Sequence, residues 1–176
     1  MLTNPDTDPD TGMDIWEMSA QAELLELNVF WNLIEQSRLI SKKERIPHDV
    51  ALAQLLSLNA RSTVARFSKS FYELSMQANN DKVYDVIGGS DDGFHYRISG
   101  LISMGQALYD GVISNPKKFK GPILDYEIFE YAAHKAFEEP SRSQLQTRAR
   151  ARHEQVALSA LIPNPDSNSS KLGPRL

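Results

Sequence analysis

The sequence predicts an all-α protein: a compact helical domain of about six helices, with a disordered acidic N-terminal leader and a loose C-terminal tail. Three observations carry that expectation. Apolar residues recur at steps of three and four through most of the chain. No segment alternates apolar and polar residues in the manner of a strand, and no internal repeat is found. Asn, Asp, Pro and Gly gather between the periodic runs, where helices start and stop.

Taken in order, residues 1–13 are rich in Asp, Thr, Asn and Pro and read as the leader. A helical domain over 14–140 follows, opened by Asp14 as the cap of a segment reaching to about Glu26. Leu27, Phe30, Trp31 and Ile34 mark one face of a helix that begins near Asn28. Pro47 breaks the chain, and Asp49 opens a short helix with Leu52, Leu55 and Leu56. Val64, Phe67, Phe71, Leu74 and Ala78 form the clearest apolar stripe, stopped by Asn79-Asn80-Asp81. A short apolar piece, Val83 to Ile87, precedes a run with Phe94, Ile98, Leu101, Gly105, Leu108 and Val112 on one side, ended by Asn115-Pro116. Beyond Gly121-Pro122 a helix carries Phe129, Ala132, Ala133, Ala136 and Phe137. An Arg- and Ala-rich helix is expected over 141–162 and the tail over 163–176.

Composition bounds the function. At 176 residues and 41% hydrophobic, the chain can build one core. It has no apolar run of membrane-spanning length and no basic, apolar signal segment, so a membrane role is set aside and the cytoplasm is the expected location. No Cys is present, which excludes disulfides and thiolate metal sites. A net charge of −4 argues against nucleic acid as partner, although Arg142, Arg148, Arg150 and Arg152 cluster near the end. That cluster lacks interleaved aromatics and reads as a solvated face.

The segment Gly88-Gly89-Ser90-Asp91-Asp92-Gly93-Phe94 stands out. Every residue in it has a folding task available. Gly88 or Gly89 can close the preceding helix at positive φ. Ser90 or Asp91 can cap the next one, and both carboxylates lie where the helix dipole stabilises them. One carboxylate suffices for a cap, however. Ser90, Asp91, Asp92 and His95 therefore also form a candidate binding cluster for a partner's basic side chain or a hard cation, and an Asp–His pair can in principle do acid–base work. Gly88, Gly89, Gly93, Phe94 and Gly105 complete it as structural positions. Gly100, Ser103, Ala107 and Gly111 make a small-residue stripe that permits close approach of another helix.

From about Phe30 to Glu139 the chain resembles a bacterial domain-of-unknown-function family. The match rests on Phe30-Trp31-Asn32-Leu33-Ile34-Glu35, on Gly88 to Phe94 without the family's usual Cys, and on Leu101-Ile102-Ser103-Met104-Gly105. Tyr109, Asn115-Pro116 and the segment from Tyr126 to Phe137 are also similar. Gly100 stands where that family usually has Trp, and Ile98 where it usually has Arg. The resemblance implies an all-helical fold and a bacterial cytoplasmic setting, and it assigns no catalytic residue.

Other motifs are weaker. Asp6, Asp8, Asp10, Asp14 and Glu17 approximate a calcium loop, but the Gly is one place late and Pro9 interrupts. The four His residues, at 48, 95, 134 and 153, share no ligand spacing, and Trp16 and Trp31 read as packed. No catalytic residue, metal ligand or cofactor is expected. The leading expectation is a non-catalytic protein-binding module of immunity-like or regulatory type, with another protein as partner and a homodimer left open. The alternative is a small-ligand or divalent-metal-binding protein, or an enzyme, using Asp91 and Asp92 with His95.

Overall fold

The computed structural model describes residues 13–90 and 93–138, all within the unit Met1–Ser141. Residues 1–12, Asp91, Asp92 and 139–176, with the Arg-rich segment, lie outside the described residues. Those described form nine α-helices, one 3-10 turn and no strand. None of the helices is long and apolar enough to cross a membrane.

Helix α1 (Ile15–Gln21) starts as the sequence expects. The Asp14 side chain accepts the Glu17 N–H at 2.9 Å and Glu17 reaches back to the Asp14 N–H at 3.3 Å. It stops short of Glu26 because the backbone of Leu25 finds another partner: its N–H donates to Ser70 Oγ at 2.8 Å. Helix α2 (Leu27–Glu44) buries Phe30, Trp31 and Ile34, while Leu27, its first residue, faces solvent. After Pro47 comes α3 (His48–Leu56). All five residues of the stripe on α4 (Arg61–Ala78) are buried. The short apolar piece is α5 (Asp81–Ile87), its first turn held by the Asn80 side chain accepting the Val83 N–H at 3.2 Å.

The run from Phe94 to Val112 is two helices rather than one, α6 (Phe94–Ser103) and α7 (Gln106–Ser114). Gly105 between them has φ 99° and ψ 169°, a conformation open in practice only to glycine. The small-residue stripe is broken there and does not seat a helix. Gly100 instead admits the loop before α8, since a Cβ on it would collide with the Leu124 carbonyl oxygen; a Cβ on Gly111 meets nothing. After the 3-10 turn at Pro116–Lys118 come α8 (Glu127–Glu130) and α9 (Ala132–Glu138).

Helix α1 packs on α4, α2 on α3, α9 on both α3 and α4, and α6 on α8. At the centre Phe30 stacks on Phe67 at 4.7 Å, and Trp31 lies 5.3 Å from Tyr109. The Tyr109 hydroxyl donates to the Leu74 carbonyl at 2.6 Å, and burial pushes its ionisation well above the ordinary tyrosine range, so it stays a donor. A second buried polar group closes the fold. Asp49, 5% exposed, accepts from the Tyr126 hydroxyl at 3.1 Å and from Lys135 Nζ at 3.3 Å, tying the start of α3 to α8 and α9.

Candidate functional site

The turn into α6 is built from its own backbone. Gly88 caps α5 at φ 64°, donating to the Tyr84 carbonyl at 2.8 Å. Gly89 sits at φ 126°, a backbone region that favours glycine, and a Cβ there would come within 3.1 Å of the Phe94 backbone. The Ser90 carbonyl accepts from Phe94 at 2.9 Å and Gly93 at 3.0 Å, and its Oγ accepts from Gly93 at 3.1 Å. Arg97, which sequence reasoning passed over, braces this turn: it donates to the Ile87 carbonyl at 2.6 Å and to Asp125 at 2.9 Å. Asp91 and Asp92, the centre of the predicted cluster, lie outside the described residues.

Among the described residues, His95 lies beside Glu130. Its Nε2 lies 3.4 Å from Glu130 Oε1 on α8, and its ring meets Tyr96 edge-on at 4.6 Å. Burial raises the Glu130 carboxyl above its ordinary range; His95 and a hydrogen bond with the Tyr131 hydroxyl pull the other way. His95 and Glu130 both line a groove of about 390 Å³. Its walls come from α1 (Trp16), α4 (Phe71, Tyr72, Met76), α6 (Ile98) and the α8–α9 junction (Tyr131).

The groove is apolar and open. Trp16 is 60% exposed, Tyr72 59%, Met76 50% and Tyr131 42%, and all four line it. Trp31 is packed as expected, but Trp16 is not; among the described residues its ring lies 6.0 Å from that of His134. A signal for this face did exist. Tyr72 and Met76 are an i,i+4 apolar pair on α4 that falls off the core stripe. Trp16 and Tyr72 also border a second depression with Ala20 and Glu73, so the apolar surface continues along α4.

A second polar cluster, Ser37–His48–Asp49, lacks the arrangement of a nucleophile and its base. Ser37 is fully buried and donates to the Ile34 carbonyl at 2.8 Å, so at 2.8 Å His48 Nε2 is the donor to Ser37. The Asp49 carboxylate is engaged by Tyr126 and Lys135 instead. Among the described residues no three His, Asp or Glu side chains converge as metal ligands.

His48 does predict a pH dependence. Burial, the largest influence, lowers its pKa below the ordinary 6.5. The unfolded chain then takes up a proton that the folded chain resists, so this contribution is whole above about 6.5 and is lost as pH falls toward the depressed value. The urea midpoint should drop between pH 7.5 and pH 5.5, and drop less in His48→Gln. The raised carboxyl of Glu130 works in the opposite sense, but both chains retain it. Equal drops in the two proteins would refute the assignment.

Residues 26–139 match the model of a family described as protein of unknown function (DUF4240). The chain belongs to that family. The matched span holds α2 to α9 and therefore Tyr72, Met76, His95, Glu130 and Tyr131, whereas Trp16 on α1 precedes it. No curated protein and no solved structure matches the chain.

Proposed function

We propose that the protein acts by binding another protein and that the groove between α1, α4, α6 and α8–α9 is the contact surface. One observation carries this reading: Trp16, Tyr72, Met76 and Tyr131, four large apolar side chains at least 42% exposed, surround a single groove. Exposed apolar residues ordinarily occur singly, and aromatics with Met are the types that interface centres concentrate. A regulatory or immunity-like module in the bacterial cytoplasm is consistent with this surface.

A small-molecule site is the second reading, favoured by the His95–Glu130 pair and by a volume within the range of about 300–1,000 Å³ common to ligand pockets. One experiment separates the two. A partner captured from the host is purified, and its Kd is measured by calorimetry for the native chain and for Trp16→Ala/Tyr72→Ala. The protein-binding reading expects the double variant to keep its helical circular dichroism and bind at least about 100-fold more weakly, two aromatic anchors being lost. Unchanged affinity would remove the groove from the interface. A thermal midpoint raised by a low-molecular-weight host extract, without any protein partner, would favour the second reading.

A further inference from the structure

Building on the groove reading, we infer that the group the groove receives is an arginine side chain of the partner protein. The walls and the charge point the same way. Trp16, Tyr72 and Tyr131 offer aromatic rings on different elements, and Glu130, half-buried, adds a carboxylate to the same lining. Among the described lining residues there is no Lys or Arg to neutralise it.

The carboxylate has capacity to spare. An ionised carboxylate offers about four acceptor sites, and Glu130 uses one toward Tyr131. His95 approaches only to 3.4 Å, beyond the roughly 2.7–2.9 Å of a charge-assisted N–H···O bond. A guanidinium meets both demands of the site at once. Its plane stacks on aromatic faces, and its paired N–H groups match a carboxylate. An aliphatic or neutral group seated there would strip water from Glu130 and return no partner to it. An acidic one would meet Glu130 with Glu127 close behind.

The test uses the full chain and the peptides acetyl-Leu-Arg-Leu-amide and acetyl-Leu-citrulline-Leu-amide, which differ by one charge at near-equal shape. Binding is followed by NMR through the Trp16 indole N–H and the Tyr72 and Tyr131 ring signals. The arginine peptide should shift these signals with a Kd at least about tenfold below that of the citrulline peptide. Glu130→Gln should erase that preference without erasing binding. Equal affinity of the two peptides for the native chain overturns the inference, as does a preference that survives Glu130→Gln or the absence of any shift. The native-chain comparison decides the matter even should Glu130→Gln not fold. If both peptides bind alike and both are lost in Trp16→Ala/Tyr72→Ala, the groove stands and the arginine falls. If that double variant keeps the partner protein at full affinity, the groove reading itself falls.

Discussion

Replacing Gly100 with alanine should destabilise the protein by about 3 kcal/mol, lowering its thermal midpoint by roughly 10 °C. Alanine is the better helix former, and at an unencumbered site the exchange gains up to about 1 kcal/mol. Packing reverses the sign. The added Cβ would overlap the Leu124 carbonyl oxygen and crowd Ile123 Cγ2 at 3.4 Å. A backbone oxygen cannot step aside as a side-chain tip can, so the loop from Phe119 to Tyr126 must lift. Arg97 and Asp125, the bond from Tyr126 N–H to the Tyr96 carbonyl at 3.1 Å, and buried Ile123 would be disturbed with it. Gly111→Ala is the matched control, because its Cβ meets nothing within 4 Å; it should be neutral or stabilising. Chemical denaturation of both variants checks the pair, and equal stability would mean the loop does not lie on α6.

Asp49→Ala should cost about 2–3 kcal/mol. The Tyr126 hydroxyl loses a charged acceptor at 3.1 Å, a bond of roughly 1.5–3 kcal/mol. The first turn of α3 loses its carboxylate, a further 0.3–1 kcal/mol or about that. Lys135 adds little, since its side chain is 48% exposed and water replaces the lost ion pair. A double-mutant cycle with Tyr126→Phe should return a coupling of about 1 kcal/mol or more, and a coupling near zero would contradict the network. The same substitution should weaken groove binding, because Glu130, Tyr131 and Ala133 lie between the two points at which Asp49 holds the chain.

Local chemistry explains which elements were legible in the sequence. Asp14, Asn80 and Gly88 announce helix ends because capping needs only neighbours within one turn. The stripe on α4 is readable because one face of a long helix meets one core. Gly105 was harder: a glycine in phase with an apolar stripe is indistinguishable by periodicity from one that turns the chain. Gly100 drew attention as an unfavourable helix residue, but its partner is a loop carbonyl with no sequence signature. The groove was the least legible feature. Trp16, Tyr72, His95 and Glu130 come from four helices, and nothing in their spacing reveals that α8 brings a carboxylate beside α6. His95 was singled out for its neighbours in sequence, and nothing in the sequence signals that Glu130 of α8 also lies beside it.

The bonds made by Asp49 also bear on when the protein becomes competent to bind. They join residues 77 and 86 positions apart, and the segment between them includes most of the chain's core. Closing a loop of that size carries a larger entropic cost than contacts between helices nearer in sequence. Helices α1 and α4, which carry Trp16, Tyr72 and Met76, are joined across shorter loops, as in the bond from Ser19 to the Ala65 carbonyl. The far wall, with Glu130 and Tyr131, arrives when α8 and α9 dock. During synthesis residue 135 must leave the ribosome before Lys135 can reach Asp49, so a nascent chain still short of α9 carries Trp16, Tyr72 and Met76 before the wall that completes the proposed binding groove.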